Sequence, residues 1–159
     1  MRHLMLLRHA KSSWDDPALS DHARPLNARG RRAAAAMARA LREDGLRPDL
    51  VLVSSARRTL QTLEALGLAP GPQVEPTDEL YLAPWTTMLE VVNRAPDSAG
   101  TVLLIGHNPG LHDLALNLLP VESLDAPPGD RLGTGYPTGM LAEFTVEGPW
   151  SALRAGSAR

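Results

Sequence analysis

The sequence predicts an α/β fold: a three-layer sandwich in which a mostly parallel sheet has helices on both faces. Three short apolar segments, at residues 3–7, 49–55 and 101–107, have the length and composition of buried strands. Segments of helical composition lie between them, and strands that alternate with helices favour a parallel sheet. The 159 residues show no internal repeat and no shift in composition. We therefore expect one domain that spans residues 1–159.

The helices are predicted from their composition and from the residues at their ends. The clearest covers residues 27–44, where "RRAAAAMARALRED" is rich in strong helix formers. Asn27 is its expected N-cap, and Gly45 lies where a helix commonly ends. Gly30, inside this helix, predicts a close approach of the helix to the sheet. Further helices are predicted at residues 56–67, 86–95 and 109–119.

The rest of the chain is predicted as weaker strands, loops and a tail. Residues 73–84 indicate a short strand followed by a loop, and residues 139–148 alternate enough to form an edge strand. The stretches at 12–25 and 120–138 are long and lack strand or helix patterns. Loops of that length often carry function. The residues after Trp150 are expected to be frayed.

Composition excludes several classes of function. The net charge of −2 gives no general attraction to nucleic acid or to an anionic membrane, so neither is an expected partner. The absence of cysteine excludes disulfide bonds, thiolate nucleophiles and cysteine-ligated metals. The apolar run "LMLL" near the start is too short for a signal peptide, and no run approaches membrane-spanning length. These observations predict a soluble, cytoplasmic protein.

Each of the three strong strands ends in cationic or imidazole side chains. The pairs are Arg8-His9 after the first strand, Arg57-Arg58 after the second and His107-Asn108 after the third. Because the carboxyl ends of parallel strands meet at one edge of a sheet, these groups are expected to form one cationic pocket. Arginine binds phosphate oxygens through two parallel hydrogen bonds. Asn108 is also a candidate N-cap of the next helix, whose N-terminus would add to the attraction for an anion.

Other chemistries that use histidine fit the sequence less well. His107 and His112 are five residues apart rather than the four of a zinc-binding helix, and no carboxylate completes an H-E-x-x-H motif. The motifs G-x-S-x-G and G-x-x-x-x-G-K-[ST] are absent. The remaining interpretation is phosphoryl transfer without a metal or other cofactor. Neutral His9 would attack phosphorus, and the arginines would stabilise charge on its oxygens.

Three segments together resemble the histidine phosphatase superfamily, which has the phosphoglycerate-mutase-like fold. "LLRHAKSSW" is similar to its R-H-G motif, "SSARRTLQT" to its S-x-x-x-R-x-x-Q-T segment, and "GHNPG" to the motif of its second histidine. The ordered set "RHAKSSW…RPLNARGRRAA…ELYLA…GHNPGL…PTG" is most similar to the short SixA-type phosphohistidine phosphatases. This likeness extends over roughly residues 3–146, in order and at similar length.

The resemblance implies a role for each matching residue. His9 is the expected nucleophile, and His107 is the expected second histidine, which contacts the phosphoryl group. The expected phosphate-binding arginines are Arg8 and Arg58, because Arg58 matches the spacing of the family motif better than Arg57 does.

Two further residues are expected to bind substrate, and one role lacks a clear counterpart. Ser12 lies where other members place a hydroxyl near the phosphate, and Asn108 follows the second histidine. Ala10 replaces the usual glycine of the superfamily, as it does in SixA-like members. The candidates for a general acid are five loop carboxylates: Asp15, Asp16, Asp21, Asp78 and Glu79.

The sequence therefore predicts a phosphatase that hydrolyses phosphohistidine in proteins, with phosphotransfer domains as one class of partner. A phosphoramidate needs less help from an acid than an alkyl phosphate does, because its imidazole leaves more readily. The short chain also lacks an inserted segment that would enclose a small ligand. Two alternatives remain: a phosphatase of small phosphate esters on the same fold, and a phosphate-binding module without catalysis. The presence of both histidines and both arginines argues against the module.

Overall fold

A computed structural model of the protein describes residues 1–68 and 71–159. Its strands are β1 (Arg2–Arg8), β2 (Leu50–Ser54), β3 (Gln73–Thr77), β4 (Thr101–Gly106) and β5 (Leu141–Val146). They form one sheet in the order β3–β2–β4–β1–β5. The first four strands of that order are parallel, and β5 pairs antiparallel with β1 at the edge. The predicted mostly parallel sheet with an edge strand near the C-terminus is confirmed.

Helices cover both faces of the sheet, which confirms the predicted three layers. They are α1 (Ala28–Glu43), α2 (Arg57–Leu66), α3 (Trp85–Asn93) and α4 (Gly110–Leu118). Side chains alternate along a strand, so β1 sends Met5 and Leu7 towards α1 and α2. Leu4 and Leu6 point the other way and pack with α3 and α4. Both faces of β1 are buried, as expected for a central strand of an α/β sheet.

The ends of the first helix follow the predicted chemistry, although Gly30 has a different neighbour. The Asn27 side chain accepts a hydrogen bond from the Gly30 N–H at 2.7 Å, and Gly45 adopts a φ of +68° after the helix. A Cβ on Gly30 would lie 2.1 Å from the Lys11 carbonyl oxygen. The prediction that Gly30 approaches the sheet is therefore wrong. This glycine lets α1 contact the backbone of the loop that leaves β1.

The expectation of a frayed tail after Trp150 is also wrong. Trp150 is fully buried, and its indole N–H donates to the Ala99 carbonyl at 2.7 Å. Near the end of the chain, Ala158 is buried and forms an antiparallel bridge with Val146 of β5. Burial of the large Trp150 side chain stabilises the tail. The short sequence after Trp150 does not indicate this packing.

The two long predicted loops contain short 3₁₀ turns. The segment 120–138 contains two short 3₁₀ turns, Val121–Leu124 and Gly129–Thr134. The segment that follows β1 carries one such turn, Asp21–Ala23, which begins after Ser20. Within residues 1–68 and 71–159, no helix is both long enough and apolar enough to cross a membrane.

Candidate active site

The carboxyl ends of β1, β2 and β4 are adjacent, and a cavity of about 410 Å³ opens there. All six residues singled out in the sequence line it: Arg8, His9, Ser12, Arg58, His107 and Asn108. We call Arg8, His9, Arg58 and His107 the floor of this cavity. A larger groove of about 630 Å³ lies beside β5, and none of the six residues lines it.

His9 is buried directly after β1 and is oriented by the backbone. Its Nδ1–H donates to the Ala10 carbonyl oxygen at 2.7 Å, because a carbonyl can only accept. The unprotonated Nε2 is therefore the nitrogen with a free lone pair. Burial lowers the pKa of His9 to about 4, and the charges of Arg58 and Arg8 contribute, against the opposing effect of the Ala10 hydrogen bond. His9 is a neutral imidazole at neutral pH, as a nucleophile must be.

His107 faces His9 across the floor, with the two ring centroids 5.3 Å apart. It follows β4 and is almost fully buried, at 2% exposure. Its Nε2 lies 2.7 Å from the Ser54 hydroxyl at the end of β2. Burial and the nearby Arg58 charge lower the pKa of His107 to about 3, so this ring is neutral too.

Asn108 does not cap the following helix as the sequence suggested. Pro109 occupies the N-cap position, and no side chain of the described residues caps that end of α4. The Asn108 amide instead donates to the Tyr136 carbonyl at 2.8 Å, and Arg8 Nη1 donates to the same oxygen at 3.1 Å. The cis Asn108–Pro109 peptide bond is part of this turn. Asn108 therefore lines the cavity, and its side chain binds the backbone of the segment before β5.

Arg58 lies in the first turn of α2 and is held by Asp21 from the loop after β1. It is 3% exposed, whereas Arg57 points outwards. Arg58 Nη1 donates to the Asp21 carbonyl at 2.7 Å, and Nη2 donates to the Asp21 carboxylate at 3.0 Å. The Tyr81 hydroxyl donates to the same carboxylate at 2.5 Å, and the Tyr81 ring packs edge-on against His107. These contacts link the loop, α2 and the floor.

Arg24 is a cavity residue that the sequence interpretation missed. Its guanidinium binds the Asp21 carboxylate, the Ser12 hydroxyl at 2.9 Å and the Ser13 carbonyl at 3.1 Å. Its Cζ lies 3.5 Å from the centroid of the Trp14 ring, a cation–π arrangement. Its place in "ARPLNARGRR" is the sequence signal for this role, and that segment favours packing of the loop and helix first and a site second. Asp21 and Arg24 line the cavity, and Tyr81 binds Asp21 from outside the lining; we call these three residues the wall.

Of the five candidate acids, Asp21 alone lines the cavity. Asp15 and Asp16 are exposed in the loop, Asp78 accepts from the Ser55 hydroxyl, and Glu79 pairs with Arg94 at 2.8 Å. The Tyr81 hydrogen bond, with those of Arg58 and Arg24, lowers the pKa of Asp21 to about 2 and outweighs the opposing effect of burial. Asp21 is consequently a carboxylate at neutral pH. In this arrangement it orients two arginines and has no proton to donate.

The electrostatics of the cavity favour an anion with several oxygens. Among the residues that the structure describes, four cationic side chains (Lys11, Arg8, Arg24 and Arg58) and one carboxylate line it. Three buried nitrogens of the floor have no hydrogen-bond partner within the described part of the chain: Arg8 Nε, Arg58 Nε and His107 Nδ1. Buried N–H groups are normally paired, so such groups in a cavity suit a ligand that accepts hydrogen bonds. A phosphoryl group meets that description.

Metal ligation receives no support from the same residues. Across residues 1–68 and 71–159, no group of three or more histidine, aspartate or glutamate side chains is placed to hold a metal ion. The two floor histidines are surrounded by arginines.

A family model of the histidine phosphatase superfamily, branch 1, matches residues 4–108, about two thirds of the chain. This chain belongs to that superfamily. The histidine phosphatase match includes all the floor residues and ends at Asn108. A sequence relative is an uncharacterized protein of Mycobacterium tuberculosis, 37% identical over 153 residues, which cover 96% of this chain and 94% of the relative.

Solved structures extend the histidine phosphatase relationship to SixA proteins. A candidate phosphohistidine phosphatase SixA from Nakamurella multipartitia has 36% identity and a TM-score of 0.85, with 99% of this chain and 93% of that one covered. The protein histidine phosphatase SixA complexed with tungstate has 27% identity and a TM-score of 0.73, with 99% and 92% covered. The sequence-based resemblance and the phosphoglycerate-mutase-like fold are confirmed, and the likeness supports phosphatase activity.

Proposed function

We propose that this histidine phosphatase is a metal-independent enzyme that hydrolyses phosphohistidine in proteins through a covalent phosphohistidine on His9. One observation carries the proposal: His9 Nε2 has a free lone pair, and His9 lines a cavity together with three residues that have buried nitrogens without partners among the described residues. The Ala10 carbonyl fixes the His9 proton on Nδ1, and the floor supplies Arg8 Nε, Arg58 Nε and His107 Nδ1 around the cavity. The tungstate complex of the SixA relative is consistent with an oxyanion site on this fold.

The first step transfers the phosphoryl group to the enzyme. His9 Nε2 attacks phosphorus, the new N–P bond forms, and the bond from phosphorus to the substrate imidazole breaks. The departing imidazole takes its proton from solvent. Arg8 and Arg58 bind the equatorial oxygens, where negative charge is greatest in the transition state.

The second step returns the enzyme to its starting state. Water attacks the phosphorus, the bond to His9 Nε2 breaks, and inorganic phosphate leaves. The neutral form of His9, which burial favours, is again the resting nucleophile.

The electrostatics of the wall support a phosphoramidate as substrate. General acid catalysis contributes roughly 10²–10⁴-fold, and an alkoxide leaving group needs it more than an imidazole does. Among the described residues, Asp21 is the carboxylate that lines the cavity, and its pKa of about 2 leaves it unprotonated. A site without a protonated acid suits a bond whose leaving group departs readily.

The rim of the cavity supports a protein as the carrier of that phosphohistidine. Trp14 is 75% exposed and Leu82 is 54% exposed, and both line the cavity mouth. Arg24 packs on the Trp14 ring, which is otherwise largely exposed. Leu82 also adopts a φ of +50°, which is unfavourable for a leucine. Large exposed apolar side chains beside a charged floor are typical of a surface that contacts another protein.

A panel of substrates tests this function. The purified protein, with EDTA present, is incubated with free phosphohistidine, a phosphohistidine-containing protein, and sugar and nucleoside phosphates, and released phosphate is measured. We expect turnover of both phosphohistidine substrates and little of the esters. Comparable turnover of the esters would contradict the substrate assignment, and loss of all activity in EDTA that returns with added metal would contradict the metal-independent mechanism.

A further inference from the structure

Ser54, the last residue of β2, holds a buried hydroxyl against His107. It is 0% exposed, and its Oγ lies 2.7 Å from His107 Nε2. The same Oγ accepts a hydrogen bond from the Ala56 N–H at 3.3 Å. The Thr59 hydroxyl packs against this turn, with its oxygen 2.7 Å from both the Ser54 and the Ala56 carbonyl oxygens. The hydroxyl therefore faces His107 from a fixed position at the end of a central strand.

The hydrogens available at this contact determine which group donates. A serine hydroxyl has one hydrogen and can accept further bonds, and a neutral imidazole has one N–H and one bare nitrogen. Ser54 Oγ already accepts from Ala56. If His107 Nε2 were the donor, the Ser54 hydrogen would be left without an acceptor within residues 1–68 and 71–159. A buried donor without a partner is unfavourable, so the Ser54 hydroxyl donates and Nε2 accepts.

We propose that Ser54 is a positioning residue that fixes the tautomer of His107, so that its one proton sits on Nδ1 and is donated to a phosphoryl oxygen of the substrate. His107 Nδ1 is buried and has no partner within the described residues. With the opposite tautomer, a bare nitrogen lone pair would take that place and repel the substrate oxygens. Ser54 therefore makes this nitrogen a hydrogen-bond donor without any charge on the ring.

The two floor histidines then have the same tautomer for different purposes. The Ala10 carbonyl accepts from His9 Nδ1 and leaves Nε2 bare for attack. The Ser54 hydroxyl donates to His107 Nε2 and leaves the Nδ1–H for the phosphoryl group. A backbone acceptor thus prepares the nucleophile, and a side-chain donor prepares its partner. The part that concerns catalysis rests on the proposed function, whereas the tautomer is a property of the resting protein.

Nitrogen NMR of the resting protein tests the tautomer directly. Protein labelled with ¹⁵N in its five histidines is studied at neutral pH without ligand, and the signals of His107 are assigned with a His107→Gln variant. We expect Nδ1 of His107 at the position of a protonated nitrogen and Nε2 at that of a bare one. A protonated Nε2 in the unmodified protein would overturn the inference, whatever any variant does.

Variants of two neighbouring serines separate this role from general packing. In Ser54→Ala we expect the His107 proton to move to Nε2 or to be shared, and Ser54→Thr, which keeps the hydroxyl, should retain the original pattern. Ser55→Ala is the matched control, because the Ser55 hydroxyl binds His22 rather than His107 and the His107 signals should not move. A His107 spectrum in Ser54→Ala identical to that of the unmodified protein would contradict the proposal.

Kinetics then link the tautomer to the chemistry. In Ser54→Ala we expect kcat for free phosphohistidine to fall about tenfold to hundredfold, with a smaller change in KM. This fall in kcat is less than the ~10²–10³-fold loss that is typical when an oxyanion-binding donor itself is removed. An unchanged kcat would refute the catalytic part. If the unmodified protein shows the predicted tautomer but hydrolyses no phosphohistidine, the proposed function fails and the tautomer assignment stands.

Discussion

The floor and the wall of the cavity are built in different ways. The floor comes from the last residue of β1, from the residues directly after β1 and β4, and from the first turn of α2, so the parallel sheet determines where its groups lie. The wall comes from the loop after β1 and from the segment after β3, and hydrogen bonds centred on the Asp21 carboxylate hold it together. We infer that the floor performs the chemistry, whereas the wall orients Arg58 and limits which substrates can enter.

The largest effect is expected from removal of the nucleophile. His9→Ala should lower phosphohistidine hydrolysis by roughly 10⁴-fold or more, as for other enzymes that lose a covalent nucleophile. Steady-state phosphate release measures this. His3→Ala is the matched control, because His3 lies on β1, the strand that leads to His9, but pairs with Glu143 away from the cavity. Near-normal activity in His9→Ala would contradict the assignment of His9 as the nucleophile.

The second effect separates the two adjacent arginines of α2. Arg58→Lys keeps the charge but loses the planar fork that binds both Asp21 and phosphate, so we expect kcat/KM to fall about 10²–10³-fold. Arg57→Lys should change kcat/KM by less than about twofold, because Arg57 is exposed and makes one long bond, 3.4 Å, to the Ala23 carbonyl. Equal losses in the two variants would mean that the orientation of Arg58 does not matter.

A smaller effect is expected when the Asp21 side chain of the wall loses its negative charge. Asp21→Asn should lower kcat for phosphohistidine by no more than about tenfold, well below the ~10²–10⁴-fold contribution of a general acid. The pH dependence of activity independently checks that His9 reacts in its neutral form. His9 must be neutral to attack, so activity should fall as pH drops through about 4, where His9 takes up a proton, in both the unmodified protein and the variant. A loss above a hundredfold would contradict the small contribution that we expect from Asp21.

The smallest effect concerns the rim. Leu82→Ala should raise KM for a phosphohistidine protein about fivefold, the size expected for one apolar contact at an interface, and raise KM for free phosphohistidine less. Val121→Ala is the control, since Val121 is an equally apolar, exposed residue that does not line the cavity. If both substrates respond equally, the rim contacts the phosphohistidine itself rather than the protein around it.

The difference between the floor and the wall also explains which site residues the sequence could predict. Arg8 ends an apolar strand, and His9 and His107 directly follow one, so strand prediction and the parallel topology were enough to bring the three together. The choice of Arg58 over Arg57 followed from the family motif, and the structure shows its burial. Arg24 and Tyr81 could not be found in this way. Tyr81 binds Asp21 across 60 residues of sequence, and Arg24 binds the Ser12 hydroxyl across 12 residues in addition to its local contact with Asp21.

Local patterns also misjudged two positions whose partners are distant in the chain. Asn108 has a typical capping side chain, but Pro109 takes the cap position and Asn108 binds the Tyr136 carbonyl, 28 residues away. The polar tail after Trp150 is ordered because one indole is buried beside Ala99. Both are tertiary contacts that override a local preference.

The central claim is that phosphorus is bound covalently to His9 during turnover. The most direct measurement is rapid quench of the reaction at alkaline pH, where phosphohistidine is stable, followed by peptide mapping with mass spectrometry. The account predicts one phosphorylated histidine, at His9 and on Nε2, which forms and decays at rates consistent with turnover and is absent in His9→Ala. Turnover without any phosphorylated enzyme, or phosphate found on His107 instead, would contradict the account.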